Sequence, residues 1–176
     1  MNLDSTYISA VAAVAAVVVS IVAVIVESRR SRSAHQVSLA LDFYNRFHSE
    51  QMGKKRKIAS TFLARGRMLS PNDDKWGQTS DVLDFFQILG TFAKSGYVDS
   101  GILYRFFYFW LSHYWAACEN HIKHVQASSP ITWSDAGWLC RSLAAYDKKH
   151  NNGALSNPSD EQLTAFFQWE QSNISQ

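Results

Sequence analysis

The sequence is poor in the residues that mark several large classes of protein. Only two cysteines occur among 176 residues, which excludes a disulfide-stabilised scaffold and a four-cysteine zinc module. Three prolines and eight glycines exclude collagen-like and proline-rich repeats. Charged residues make up 18% and hydrophobic residues 47%, whereas a disordered chain needs high charge and low hydrophobicity. The composition therefore predicts one folded domain of about 100–150 residues with an additional segment.

The additional segment is an uncharged apolar run near the N-terminus. Residues 8–26 contain only Val, Ile, Ala and Ser. A helix of that length spans about 28 Å, close to the roughly 30 Å hydrocarbon core of a bilayer. A buried core helix rarely lacks a polar face for so long, and a signal peptide has a shorter apolar region after a basic start. We therefore predict a transmembrane anchor, with anchor residues that include Ile8, Val11, Val17, Ile21 and Val26.

The residues on either side of the run predict its orientation. Residues 1–7 carry no Lys or Arg, whereas Arg29, Arg30 and Arg32 follow the run closely. Since basic residues flank transmembrane helices on the cytoplasmic side, residues 1–7 are expected outside the cell and the rest of the chain in the cytoplasm. Cytoplasmic cysteines are normally reduced, so Cys118 and Cys140 are expected to be free thiols.

The remaining sequence predicts helices throughout, because its apolar residues recur every three or four positions. The expected fold class is all-α, with one N-terminal transmembrane helix followed by a small bundle of about five helices. Basic juxtamembrane helices are predicted over residues 27–69 and an aromatic-cored helical domain over residues 80–148. A loop and a C-terminal helix are predicted over residues 149–176.

Several local signals predict where helices begin, end and cross. Ser80 is a candidate N-cap, Gly96 a candidate left-handed stop, and residues 70–74 a break rich in turn-forming residues. Residues 159–162 match a capping box at the start of the last helix. Gly90 lies in the middle of a helix, where glycine is unfavourable, and this predicts a close crossing with another helix.

Three segments carry a resemblance to a known family. They are VLDFFQILG (82–90), KSGYVD (94–99) and YFWLSHYW (108–115). They resemble an uncharacterised bacterial family with a domain of unknown function and an LxFFxxxG…YW motif, often found behind one N-terminal membrane span. The resemblance covers roughly Leu39 to Lys148. It implies an all-helical cytoplasmic domain at the bacterial inner membrane, and it brings no established activity.

Charge is distributed unevenly along the chain. Residues 29–67 carry a net charge of +8, whereas the segments before and after them carry −2 and −4. A solvated helix face, a phospholipid surface and an acidic protein partner are all compatible with such a basic segment. Nucleic acid is disfavoured as a partner because no recognised binding motif accompanies the charge. The candidate contacts for lipid or an acidic partner are Arg29, Arg30, Arg32, Lys54, Lys55, Arg56 and Lys57.

Catalytic and metal-binding chemistry has little support in the sequence. Cys118, His121 and His124 are spaced by three residues on one predicted helix, but no HExxH motif or cysteine pair completes a metal site. A GxSxG motif, a P-loop and a GxGxxG motif are absent. No catalytic residue, metal ligand or cofactor is therefore assigned.

The preferred function is a membrane-anchored, non-enzymatic interaction or regulatory module. Its expected partners are membrane lipids and either another protein or a second copy of the chain. The alternative is a nucleic-acid-binding or enzymatic effector tethered to the membrane. Aromatic residues at helical spacing usually form a core, but their number here leaves an interface as the other interpretation. The candidate interface aromatics are Tyr104, Tyr108 and Trp115.

Overall fold

The computed structural model describes residues 3–65, 76–153, 155 and 157–174, with side chains from residue 19 onward. This part of the chain contains six α-helices and no β-strand, which confirms the all-α prediction. The helices, in chain order, are α1 (Leu3–Phe47), α2 (Glu50–Leu63), α3 (Trp76–Lys94), α4 (Ser100–Ser128), α5 (Ser134–Asn151) and α6 (Asp160–Asn173).

The chain divides into two units, Met1–Ser38 and Leu39–Gln176. In the first unit every side chain from residue 19 to residue 35 is exposed. Of the predicted anchor residues, Ile21 and Val26 are among these, whereas Ile8, Val11 and Val17 lie outside the described side chains. Within the described residues, no helix combines the length and apolarity that crossing a membrane requires.

The second unit has a core rich in aromatic rings. Phe47, at the end of α1, packs against Phe86 of α3 and against Phe107 and Trp110 of α4, with ring centroids 5.6–6.2 Å apart. Such edge-on and tilted contacts are the preferred geometries of aromatic pairs. The buried residues of α4 recur at three and four positions, as the sequence predicts, and include Leu103, Phe107, Leu111, Tyr114, Cys118 and Ile122.

The backbones of α3 and α5 approach each other closely at Gly90. A Cβ atom at this position would lie 2.3 Å from the carbonyl oxygen of Asp135 in the first turn of α5. Real Cβ atoms do not approach backbone atoms so closely, so any side chain would force the two helices apart. The predicted close crossing is confirmed.

The predicted start of α3 at Ser80 is wrong, because the helix begins at Trp76. The ring of Trp76 is buried and stacks on the His121 imidazole at a centroid distance of 3.9 Å. Ser80 therefore lies one turn inside α3, where it is half-buried. By contrast, Gly96 has the predicted left-handed backbone, with φ of 75°, and the capping box at Ser159 is present. The predicted break at residues 70–74 lies outside the described residues.

The start of α5 is capped by a side chain from α3. Its own N-cap residue, Trp133, has a left-handed backbone and provides no side-chain hydrogen bond. Instead, Gln87 Oε1 accepts hydrogen bonds from the backbone N–H groups of Asp135 and Ala136, at 3.0 and 3.1 Å. Because the first N–H groups of a helix have no partner within the helix, this amide oxygen satisfies two of them.

We expect Gly90→Ala to lower the free energy of unfolding by roughly 1–3 kcal/mol, as overpacking of a tight contact does. Gly77→Ala is the matched control, because it adds the same methyl group to the same helix and meets no atom of the described residues within 4 Å. It should leave stability unchanged or raise it by up to about 1 kcal/mol. Urea unfolding of the full chain in a mild detergent, followed by circular dichroism, measures both. Equal effects of the two variants would contradict the close crossing.

We expect Gln87→Leu to cost roughly 1–2 kcal/mol of stability, because two N–H groups at the start of α5 lose their acceptor. Gln87→Glu should retain most of the stability, since a carboxylate accepts the same bonds and interacts favourably with the helix dipole. Urea unfolding followed by circular dichroism measures the stability of both variants. A loss as large for the Glu variant as for the Leu variant would refute the capping role.

Candidate functional site

A buried ion pair joins α2 to α6. The side chains of Arg56 and Glu170 are only 5% and 1% exposed. Arg56 Nε donates a hydrogen bond of 2.7 Å to Glu170 Oε1, and Nη2 donates to the same oxygen. Nη1 donates to the carbonyl oxygen of Phe47 at 3.1 Å, and the guanidinium carbon lies 4.1 Å from the centroid of the Phe47 ring. The guanidinium group therefore contacts the Glu170 carboxylate, the Phe47 carbonyl oxygen and the Phe47 ring.

The second carboxylate oxygen of Glu170 extends the network to α4. Oε2 accepts a hydrogen bond of 2.9 Å from the Tyr114 hydroxyl and lies 3.2 Å from the Ser60 hydroxyl. Burial raises the pKa of Glu170, although Arg56 and these hydrogen bonds act in the opposite direction. Burial also raises the pKa of Tyr114, and the neighbouring carboxylate adds to this effect. One carboxyl group thus connects α2, α4 and α6.

The ion pair borders a cleft of about 530 Å³, which we call the Arg56 cleft. Its walls include the rings of His48, Trp110 and Trp169. Desolvation lowers the pKa of His48, and the charge of Arg56 lowers it further, so the imidazole is neutral at neutral pH. Trp110 Nε1 is buried and has no hydrogen-bond acceptor among the described residues. The cleft therefore combines aromatic walls with the edge of a buried ion pair.

A second cleft, of about 610 Å³, lies between α4, α5 and the start of α6. Two of the predicted interface aromatics, Tyr108 and Trp115, line it; Tyr108 is buried and Trp115 is half-buried. The third, Tyr104, donates a hydrogen bond of 2.6 Å to Asp147 Oδ1. Burial and this carboxylate raise the pKa of Tyr104 to about 12. Tyr104 thus takes part in an internal contact between α4 and α5.

The predicted basic contacts separate into three groups. Arg29, Arg30 and Arg32 are exposed on α1 in the first unit. Lys54 pairs with Glu50 at 2.6 Å and Lys55 with Asp81 at 3.0 Å, both near the surface, and Lys57 is half-buried. Arg56 differs from its neighbours, because it is buried and engages Glu170 instead of facing the surface.

The two cysteines are free thiols in packed surroundings. Burial raises the pKa of Cys118 strongly, and it raises the pKa of Cys140 to about 12 against the opposing charge of Arg141. A thiol with a raised pKa stays protonated and is a poor nucleophile. Among the described residues, no group of three or more His, Cys, Asp or Glu side chains could hold a metal ion.

The helical spacing of Arg56 and Glu170 indicates a buried ion pair, whereas the distribution of charge along the sequence does not. Glu170 continues the apolar face of α6 formed by Leu163, Phe166 and Phe167, at a spacing of three to four residues. Arg56 likewise lies three residues before the buried Ala59 on α2. A charged residue on each of two apolar faces is the pattern expected of a buried pair.

A model of one protein family, described as a domain of unknown function (DUF4760), matches residues 10–143 of the chain. The match covers more than half of the sequence, and the chain belongs to this family. No curated protein and no solved structure matches the chain. The matched range includes Arg56 and Tyr114, and it ends before α6 and Glu170.

We expect Arg56→Met to lower the free energy of unfolding by roughly 3–5 kcal/mol, because it leaves Glu170 buried without its cation. Replacing both residues, as Arg56→Met with Glu170→Leu, should recover part of this loss. Recovery stays incomplete because the Tyr114 hydroxyl loses the carboxylate that accepts its hydrogen bond, whereas the Ser60 hydroxyl still donates to the backbone carbonyl oxygen of residue 56. Urea unfolding of the full chain in detergent provides the comparison. A double variant less stable than Arg56→Met would contradict an interaction between the two side chains.

The decrease in the free energy of unfolding caused by Arg56→Met should depend on pH. A raised pKa in the folded state means that the folded protein binds the proton of Glu170 more tightly than the unfolded chain does. Protonation of Glu170 therefore stabilises the folded state at low pH, and this stabilisation is lost as pH rises through the pKa of Glu170 in the folded protein. Removing Arg56 raises that pKa further, so the variant should lose more stability at about pH 8 than at about pH 5. An equal loss at both pH values would argue against a buried ionised Glu170.

Proposed function

We propose that the chain is a membrane-anchored, non-enzymatic interaction or regulatory module, with residues 8–26 as its anchor. The observation that carries the proposal is the surface of α1 after residue 18. Val19, Ile21, Val22, Val24, Ile25 and Val26 are 45–68% exposed. Contiguous apolar surface of this kind is rare on soluble proteins and marks contact with lipid or another protein.

The basic residues that follow the apolar segment support its contact with a lipid bilayer and indicate which end faces the cytoplasm. Arg29, Arg30 and Arg32 are exposed on the same helix immediately after the apolar residues. Basic residues at this distance interact with anionic headgroups of the inner leaflet by about 1 kcal/mol each. By the positive-inside rule, we propose an inner-membrane protein with residues 1–7 outside the cell and residues 39–176 in the cytoplasm.

The chemistry of the second unit supports an interaction role rather than catalysis. Its buried charged groups have internal partners, since Arg56 engages Glu170 and Asp147 accepts hydrogen bonds from the Tyr104 hydroxyl and the Leu155 N–H. Its two thiols have raised pKa values. The surfaces available to a partner include the two clefts and the ring of Trp169, which is 47% exposed. A half-exposed tryptophan beside a cleft is typical of recognition surfaces.

The topology is tested with reporters fused after Gln176 and expressed in a bacterium. Green fluorescent protein, which folds in the cytoplasm, should fluoresce in the membrane fraction, and alkaline phosphatase, which requires the periplasm, should be inactive. Combined replacement of Arg29, Arg30 and Arg32 by Asn should raise the phosphatase activity, because the orienting charges are removed. Combined replacement of Lys54 and Lys55 by Asn is the control and should leave both reporters unchanged.

An active phosphatase on the unsubstituted chain would overturn the proposed orientation. Recovery of the fluorescent fusion in the soluble fraction would overturn the membrane anchor. Tight binding of duplex DNA with a steep dependence on salt concentration would instead favour the nucleic-acid-binding alternative.

A further inference from the structure

We propose that a third cleft, between α4 and α6, binds a small uncharged ligand through a hydroxyl group that donates a hydrogen bond to His113 Nε2. The cleft has a volume of about 380 Å³, and we call it the His113 cleft. Its described lining residues belong to α4, to α6 and to the connection before α6. They all lie in the second unit, so the inference goes beyond membrane anchoring and does not depend on it.

The first argument is the protonation of the His113 ring. His113 is only 7% exposed, and its Nδ1 lies 2.6 Å from the backbone carbonyl oxygen of Phe109. Because a carbonyl oxygen only accepts hydrogen bonds, Nδ1 carries a proton and donates it. Burial lowers the pKa of His113, although the hydrogen bond to Phe109 acts in the opposite direction. The imidazole is therefore neutral at neutral pH, and Nε2 has a free lone pair.

The second argument is that Nε2 is an unused acceptor at the wall of the cleft. The described hydrogen bonds of the ring all involve Nδ1, and none reaches Nε2. The buried polar atoms without a partner include Trp110 Nε1 but not His113 Nε2, so Nε2 retains accessible surface. The His113 side chain lines the cleft, and its ring packs against those of Phe109 and Phe166 at centroid distances of 4.7 and 4.4 Å. A fixed acceptor of this kind calls for a donor.

The third argument is the chemistry of the other walls. The Phe166 ring lies 5.3 Å from the Phe109 ring and 6.2 Å from the Trp169 ring, measured between centroids. Phe109 and Trp169 remain 37% and 47% exposed. None of the described lining residues is charged, so a charged ligand would lose hydration without gaining a partner. An apolar, uncharged body with one polar group suits such a site.

A hydroxyl donor fits the acceptor better than a metal ion does. Neutral imidazole is a common metal ligand. However, His113 is the only His, Cys, Asp or Glu among the described residues that line the cleft. Zinc sites in proteins normally combine three or four such side chains. A single acceptor among aromatic rings instead matches a ligand that offers one hydrogen-bond donor.

The test uses three probes that share one ring: phenol, anisole and 4-hydroxybenzoate. The full chain, labelled with ¹⁵N and held in a mild detergent, is titrated to equal free concentrations of each probe. NMR follows the indole N–H signals of its six tryptophans and the ring nitrogens of His113. Phenol should shift the Trp169 indole signal and move the His113 Nε2 resonance upfield, with saturation in the millimolar range for a fragment of this size. Anisole, which lacks the donor, should bind at least about threefold more weakly. So should 4-hydroxybenzoate, which adds a charge.

Two variants at one position assign the effect to Nε2. His113→Asn keeps a side-chain N–H near Nδ1 but removes the acceptor, so phenol and anisole should bind within about twofold of each other. His113→Gln places an amide oxygen near the position of Nε2 and should retain the preference for phenol. Trp115→Phe, in the cleft between α4 and α5, is the control and should leave binding unchanged. Retention of the remaining indole signals shows that each variant is folded.

The unsubstituted chain decides the outcome even if a His113 variant does not fold. An Nε2 resonance that does not respond to phenol, or anisole binding as tight as that of phenol, would overturn the proposal. Equally tight binding of 4-hydroxybenzoate would overturn the preference for an uncharged ligand. A phenol-induced shift of Trp110 without a change at His113 Nε2 would place the ligand in the Arg56 cleft and contradict the assignment.

Discussion

The buried pair of Arg56 and Glu170 is the interaction on which the second unit depends most. The two residues are 114 positions apart, and their contact brings α6 against α2 while Tyr114 attaches the same carboxylate to α4. A buried ion pair contributes little net stability, because desolvation offsets the attraction. Its effect is to specify one arrangement, since any other position of α6 leaves a charge buried without a partner.

The same pair also explains how α6 extends the family domain. The family match ends at residue 143, yet α6 supplies the buried Phe166, Phe167 and Glu170. At its far end, Ile174 packs so closely on α2 that a Cβ at Gly53 would lie 3.2 Å from its side chain. The helix also forms one wall of the Arg56 cleft through Trp169. The cleft is therefore a product of the matched domain and the segment that follows it.

Local sequence patterns predict most of the helices, whereas the buried pair of Arg56 and Glu170 forms through contacts between residues far apart in the sequence. Periodicity and turn chemistry predict the helices and the turn at Gly96, because each depends on neighbouring residues. The crossing at Gly90 is predicted from the cost of a glycine inside a helix, although the atoms it meets belong to Asp135 of α5. The cap that Gln87 provides for α5 and the pairing of Arg56 with Glu170 depend on residues far apart in sequence. Arg56 was grouped with a basic run because charge alone does not distinguish a buried residue from a solvated one. The membrane anchor remains a prediction.

Helix α6 is an integral part of the second unit, held there by the buried pair. Native-state hydrogen exchange of the full chain measures this directly, because amides in cooperatively folded elements exchange through the same global opening. We expect the amides around Glu170 to be protected to within about tenfold of those around Tyr114 in α4. Rapid exchange throughout α6 alongside a protected α4 would contradict it.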